Sequence, residues 1–417
     1  MIGDWHQSSV LCASFANLGH EVVGIAGEPA LTGLLAGQAP VHEPGLDTLL
    51  AQMLKAGRLT FTQSFADGLR VADFAFVSID TPVGADDESD LEPIWRAVDQ
   101  IAATGPDGLT VIVTSQVPVG TSEQIAKRLG DRMRIAYVPE FLRLSTALDT
   151  FNKADRFVIG ADDPEVAAAV AAIYKPLQRP IHFTDIRSAE MAKHASNAWL
   201  ATSVSFINQI ADLCEQLGAD VREVAAIMKL DARVGPHAFL GAGLGYAGGT
   251  LGREIRSLQK LGAAHGVSTE LFDAVSEVNS RRIGHLVGRL KSVQPDLADV
   301  PIAVFGLTYK AGTSTLRRSP AITLVAQLAA AGARVSAYDP LAKPDEGAGL
   351  LDFAVLRDPA AAANGAVALI LMAPWPQGLT LAEAAQMMAR PVLLDGGNYL
   401  ERRAAIDAGF SYHGIGR

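Results

Sequence analysis

The sequence predicts an α/β protein: two doubly wound parallel-sheet domains joined by a long central helix and an all-helical middle domain. Three observations predict it. At both ends of the chain, short apolar runs alternate with helical stretches, the order that builds a parallel sheet with helices on both faces. Between them lies the helical run Ser188–Leu217, long for a globular protein and suited to a spine between two lobes. The glycine-rich stretch Gly241–Glu254, GAGLGYAGGTLGRE, then interrupts the middle. Glycine costs about 1 kcal/mol in a helix interior, so this stretch reads as a loop whose backbone lies open to a ligand.

Composition sets the outer bounds. With 417 residues, 49% hydrophobic, and 39 glycines, the chain can build several cores in about two to four domains. The balance of 35 basic to 45 acidic side chains gives −10, which disfavours nucleic acid as a partner. No run of about 18 uncharged apolar residues is present, so no membrane span is expected. The N-terminus, MIGDWHQSSV, lacks the basic region and apolar core of a secretory signal. Cys12 and Cys214, the only cysteines, are too few for a disulfide framework or a metal cluster and fit a reducing cytoplasm.

Met1-Ile2 reads as the stub of a strand. Gly3-Asp4-Trp5-His6-Gln7-Ser8 leads from it into a helix over Val10–Leu18, and Glu21–Ile25 is the next strand. This is a Rossmann-like βαβ unit of about 30 residues. A dinucleotide fingerprint would place G-x-G-x-x-G here, and an acid for the ribose at the end of the second strand. Only Gly3 keeps the pattern. Trp5 and Ser8 stand at the second and third glycines and Ala26 at the acid, with Glu28 two residues on as the candidate substitute. The strands Phe74–Ile79 and Leu109–Thr114 end in Asp80-Thr81-Pro82 and in Ser115-Gln116-Val117-Pro118-Val119-Gly120-Thr121. Ligands of open α/β sheets bind beyond such carboxyl ends, which makes Thr81, Pro82, Gln116 and Thr121 site candidates. Glu140, Phe141, Leu142 and Arg143 lie just past the strand Arg134–Val138. On the long helix Lys193 and Asn197 are four apart and share a face, with Glu190 one turn earlier. Helices near Val221–Leu230 and Thr269–Leu286 complete the middle. The last unit has strands at Pro301–Gly306, Arg334–Tyr338, Val367–Met372 and Pro391–Leu394, and a helix at Ala321–Ala331. Lys310, Arg317 and Arg318, beside its first strand tip, suit phosphate binding. The expected domains are 1–185, 186–295 and 296–417.

Nine motifs follow in order: LGHEVVG at Leu18–Gly24, EPGL at Glu43–Leu46, the Thr81-Pro82 tip, VPVGT at Val117–Thr121, PEFLR at Pro139–Arg143, SAEMAKHASNAWLA at Ser188–Ala201, D-x-R-V-G at Asp231–Gly235, GLTYK-x-G-T-x-x-x-R-x-SP at Gly306–Pro320, and YDP at Tyr338–Pro340. Together they span nearly the whole chain and resemble the UDP-glucose/GDP-mannose 6-dehydrogenase family. The resemblance implies a homodimer through the central helices that oxidises the C6 alcohol of a UDP- or GDP-hexose to a carboxylate with two NAD⁺. In that family a cysteine in a G-x-G-[YF]-G-G-S-C-F-x-K-D loop forms a thiohemiacetal and then a thioester. By the same match, Lys193 and Asn197 stabilise the alkoxide and oxyanion, and Glu140 is the PEFL glutamate. Arg233 is an arginine that reaches the sugar nucleotide across the dimer, and Lys310 the lysine of the last domain on the cofactor and substrate side. Phe141, Leu142, Arg143, Tyr246 and Gly248 fall on the substrate side.

The departures concentrate at the chemistry. Thr250 stands at the cysteine, Arg253 at the loop lysine and Glu254 at the loop aspartate. Gln116 replaces a threonine that helps hold water, Leu144 a second glutamate after PEFLR, and Gly397 the arginine of a DGRN motif. Threonine is a poor nucleophile without an adjacent base, and neither cysteine falls at a site position. One alcohol-to-carbonyl oxidation needs no covalent adduct, only a base, an oxyanion partner and NAD⁺. The leading expectation is therefore a nucleotide-sugar oxidoreductase limited to one hydride transfer, using NAD with NADP left open. Its catalytic candidates are Lys193, Asn197, Glu140, Thr250, Glu254 and Gln116, and no metal is expected. The cofactor candidates are Gly3, Trp5, Ser8, Glu28, Thr81, Pro82, Thr121 and Arg317. Two alternatives stand beside it: a catalytically silent nucleotide-sugar-binding or scaffold homologue, favoured by the bulk of Trp5, and an ordinary uronate-forming dehydrogenase for polysaccharide precursors.

Overall fold

Strand-forming runs become strands close to where the sequence puts them. The computed structural model describes residues 1–81, 90–342 and 355–417, which fall into two units, Met1–Ser196 and Asn197–Arg417. Among its described residues the first unit has seven strands: β1 (Val22–Ile25), β2 (Leu59–Thr62), β3 (Phe74–Val77), β4 (Thr110–Val113), β5 (Arg134–Tyr137), β6 (Phe157–Gly160) and β7 (Ile181–Thr184). β1 pairs with β2, and β3 to β7 pair in chain order. All are parallel except at β5–β6, where Tyr137 pairs with Gly160 in antiparallel sense. Ile2 bridges both Ile25 and Val77, so one residue of the N-terminal stub joins the two ladders. β4 is buried throughout because helices cover both faces of the sheet. Its alternation sends Ile112 to a cluster with Val10, Leu11 and Phe15, and Val111 and Val113 to one with Ile94, Val98 and Ile101.

The first helix spans His6–Asn17, starting four residues before the expected Val10. Its polar first turn reads as a loop, yet Ser8 and Ser9 are buried and bond backbone carbonyls, Ser9 Oγ donating to Trp5 at 2.9 Å.

The helix Ile186–Leu217 runs from the first unit into the second. After it come helices Val221–Leu230, Leu251–His265, Glu270–Ser280 and Arg282–Val293. Two expectations change here. The loop reading of Gly241–Glu254 holds only as far as Thr250, because Leu251, Ile255 and Leu258 form an apolar stripe against Ala198, Ala201 and Val275. That packing overrides the cost of Gly252, and Arg253 and Glu254 lie in the first helical turn. The single helix expected over Thr269–Leu286 is two, broken at Arg281, where no glycine or proline marks the break. Just past it the buried Arg282 donates to Asp212 at 2.6 Å and to the Gly243 carbonyl at 3.3 Å.

Among the described residues six parallel strands close the chain: β8 (Pro301–Phe305), β9 (Arg334–Tyr338), β10 (Val355–Leu356), β11 (Ala368–Leu371), β12 (Val392–Asp395) and β13 (Ser411–Gly414), in the order β10-β9-β8-β11-β12-β13. One apolar core serves this sheet and the helices together: Ile207, Ala211, Ile283, Leu286 and Leu290 pack with Ile302, Val304, Leu324, Ile370 and Leu394. Beside it His285 and Arg289 bond Glu215, which also accepts the Gly416 N–H at 2.8 Å. Burial pushes the Glu215 pKa up, but His285, Gly416 and Arg289 outweigh it and hold the carboxyl below its ordinary value. Among the described residues no helix is long and apolar enough to cross a membrane.

Candidate functional site

In the first unit the turn after Ile2 is built on Gly3, at φ +145°, where a Cβ would lie 2.3 Å from the Ser78 carbonyl oxygen. Only glycine fits there. Ser8 Oγ donates to the Gly3 carbonyl at 2.8 Å and closes the turn. The helix from His6 starts on Trp5 with no side-chain cap and no acid in its first turn, so its leading N–H groups remain for an anion. The buried Ser78 Oγ beside Gly3 has no protein partner among the described residues. A glycine cradle with an uncapped helix start fits the pyrophosphate of a dinucleotide; Trp5, half-exposed at the mouth of the turn, is the one bulky departure.

The other cofactor candidates sit as follows. Glu28 is exposed and accepts from Thr32 Oγ1 at 2.9 Å. Thr81 Oγ1 donates to the Gln116 carbonyl at 3.4 Å, and Thr121 Oγ1 to the Pro118 carbonyl at 2.6 Å. Pro82 lies outside the described residues.

The long helix is pinned against the β4 tip from two positions. The buried Glu190 accepts from the Gly120 N–H at 2.5 Å and the Ser122 N–H at 2.9 Å, filling the N-terminus of the helix Thr121–Leu129 with its own carboxylate. His194 Nε2 bonds the Val117 carbonyl at 2.9 Å. Between them Lys193 donates to the Glu140 carbonyl, and its ammonium lies 4.7 Å from the Phe141 ring centre, with Arg156 4.9 Å from the same ring. Glu140 Oε1 accepts the Phe141 N–H at 2.7 Å. Burial raises the Glu140 pKa to about 7, although Phe141, Lys193 and Leu142 act in the other direction. Leu142 is half-buried against the first core and Arg143 is exposed. One turn beyond Lys193, the buried Asn197 has an Nδ2 with no protein partner among the described residues. The clamping roles of Glu190 and His194 escape the sequence reading, although their spacing around Lys193 was the available signal.

In the second unit the glycine loop is held, not slack. Asn208 Oδ1 accepts the Gly243 N–H at 2.9 Å, and Asn279 exchanges two bonds with the Tyr246 backbone at 2.7 and 3.0 Å. At Gly248, at φ +78°, a Cβ would lie 2.9 Å from the Tyr309 ring, and its N–H reaches the Arg318 carbonyl at 3.3 Å, so the loop meets the segment carrying Lys310 and Arg317. Lys310 and Arg317 are exposed. Thr250 is the exposed N-cap of the helix Leu251–His265 and its hydroxyl makes no capping bond, while Glu254 is fully buried one turn on. Arg233 is exposed and forks onto Asp231 at 2.6 and 3.0 Å. At Gly397 a Cβ would lie 2.3 Å from the Tyr399 ring, so that tyrosine fills the place of the motif's arginine side chain.

Residues 1–178 match the NAD binding domain of the UDP-glucose/GDP-mannose dehydrogenase family, residues 187–281 its central domain, and residues 303–402 its UDP binding domain. A UDP-glucose 6-dehydrogenase of Rhizobium meliloti (strain 1021) is 37% identical over 434 residues, covering 100% of this chain and 99% of the relative. One from Bacillus subtilis (strain 168) is 34% identical over 428 residues, covering 100% and 97%. The solved structure of a UDP-glucose dehydrogenase from the hyperthermophilic archaeon Pyrobaculum islandicum superposes with a TM-score of 0.91 at 32% identity, over 100% of this chain and 96% of that one. With the matches in chain order along two Rossmann-like sheets, the chain belongs to the UDP-glucose/GDP-mannose dehydrogenase family, and its first unit carries that family's NAD binding domain.

Proposed function

We propose that the chain is a cytoplasmic nucleotide-sugar dehydrogenase that oxidises an alcohol of a UDP- or GDP-hexose to the carbonyl with one NAD⁺ and stops there. The observation that carries this reading is Thr250. It holds the place of the family nucleophile, and both thiols of the chain are buried elsewhere, with Cys12 pushed up to about 11 by burial. Bound NAD⁺ supplies the hydride acceptor. The Gly3 turn and the open N–H groups of the first helix hold its pyrophosphate, Glu140 takes the hydroxyl proton, and Lys193 and Asn197 stabilise the oxygen as charge develops on it. The segments 1–185, 186–295 and 296–417 divide this labour into cofactor, dimer and nucleotide-sugar domains.

The test is NADH formed per sugar consumed, with UDP-glucose and GDP-mannose offered separately. One NADH with an aldehyde product supports the reading, and two with a uronate overturn it. No NADH, together with a rise in melting temperature on adding the nucleotide sugar alone, would favour the silent binder that Trp5 suggests.

Glu140 gives the reaction a pH signature. Below about 7 its carboxyl is protonated, so kcat/KM rises with pH through that value as the base form appears. Glu140→Gln is expected to remove this limb; a limb that persists assigns it to another group.

The homodimer has a physical basis on the long helix. Trp199, Phe206 and Leu213 repeat every seven residues and stay exposed, as does Leu217, Trp199 at 70% and Leu217 at 80%. Such a seam suits a second copy of the helix. Phe206→Glu combined with Leu213→Glu is expected to turn the dimer into a monomer by light scattering; an unchanged mass places the interface elsewhere.

A further inference from the structure

We infer that Glu43 is a positioning residue, tying the dinucleotide turn through His6 to the segment Glu140–Ala147. This rests on the Gly3 turn being the seat of the cofactor. Glu43 is 3% exposed, and His6 is 7% exposed. Glu43 Oε2 meets His6 Nε2 at 2.7 Å and accepts the Ser145 N–H at 2.8 Å, while Oε1 accepts the Ala147 N–H at 2.8 Å. Burial pushes the Glu43 pKa up, but His6 and the two N–H groups outweigh it and hold the carboxyl below its ordinary value. The group is therefore a carboxylate, and His6 Nε2 carries a hydrogen toward it.

The two ends of this bridge lie at functional segments. His6 opens the helix whose uncapped start is the proposed seat of the pyrophosphate. Ser145 sits at φ +72°, a left-handed conformation that a non-glycine residue keeps only when its surroundings hold it. Thr146 gives the helix Ala147–Asn152 no side-chain cap, so Glu43 supplies the acceptor from about a hundred residues away. The Thr146 N–H bonds the Arg143 carbonyl at 3.0 Å, so a shift at Ser145 carries into Arg143 and on to Phe141 and Glu140. A buried carboxylate is costly unless several donors converge on it, and here they come from the two segments that the reaction must align. Occupancy of the turn is thereby transmitted to Glu140–Arg143.

Hydrogen exchange on the full chain, read on peptides 1–17 and 140–152, tests this. In the wild type, saturating NAD⁺ is expected to slow exchange in both peptides. His6→Phe should speed exchange in 140–152 about threefold without ligand and abolish the NAD⁺ response there while 1–17 still responds. His6→Gln, which keeps an N–H for Glu43, should restore both behaviours, and Glu43→Gln should speed exchange at the Ser145 and Ala147 amides. Wild-type exchange rates in 140–152 of His6→Phe, or an NAD⁺ response confined to 1–17 in the wild type, overturn the inference. Absence of any response at 1–17 instead overturns the cofactor reading on which it stands.

Discussion

Thr250→Cys is expected to raise the yield from one NADH per nucleotide sugar to two and to change the product from aldehyde to carboxylate. The threonine hydroxyl is a poor nucleophile without an adjacent base to take its proton. A thiol in its place would stand at the N-terminus of a 15-residue helix, where backbone N–H groups and the helix dipole favour the thiolate. Its sulfur adds to the aldehyde carbon as a proton reaches the oxygen. Transfer of a second hydride to a second NAD⁺, with loss of the hydroxyl proton, would leave a thioester, and water would cleave its carbon–sulfur bond to free the carboxylate and the thiol. Thr250→Ser, which restores no thiol, should remain at one NADH. The measurement is NADH absorbance against sugar consumed, with mass spectrometry of the product. A wild type that already makes uronate would sink the idea.

Lys193→Met is expected to lower kcat by about 10²- to 10³-fold, or about 3–4 kcal/mol of transition-state stabilisation, while the Kd for NAD⁺ stays near its wild-type value. Methionine keeps an unbranched apolar stem one atom shorter but loses the charge lying over Phe141 and bonded to the Glu140 carbonyl. The same change has a second readout. The Lys193 ammonium is among the groups that lower the Glu140 pKa, so its loss moves the rising limb of kcat/KM above about 7. A lower kcat with an unmoved limb would mean that Lys193 does not act beside Glu140.

What could be read in the sequence is what depends on local spacing. Strand and helix alternation gave the central strands of both sheets, because parallel strands buried on two faces must be short and apolar, but not β2, β6, β7, β10 or β13, several of which are only partly buried. That Lys193 and Asn197 share a helix face followed from helical periodicity, and that Gly3 makes a tight turn from the βαβ unit. The missing pieces depend on partners far along the chain. Nothing near His6 announces Glu43, and nothing near Ser145 announces that a non-glycine residue holds a left-handed turn there. The helix from Leu251 was hidden by its glycine-rich approach, since the stripe that stabilises it packs on Ala198, Ala201 and Val275. The sequence shows at Gly397 only a missing arginine, because the Tyr399 ring that occupies the space is placed there by the fold of the loop.

The apolar core common to the helices and the last sheet limits how this protein can be rebuilt. Ile283, Leu286 and Leu290 interlock with Ile302, Val304 and Leu324 across the short connection that a sequence comparison would choose as a splice point. Close-packed interiors tolerate new sequence only when volume and shape are kept on both sides. A chimera that takes its helices from one parent and its final sheet from another inherits two half-cores that were never fitted to each other. Exchange of substrate preference between relatives must therefore move residues 197–417 as one block, with the exposed apolar stripe of the long helix carried along.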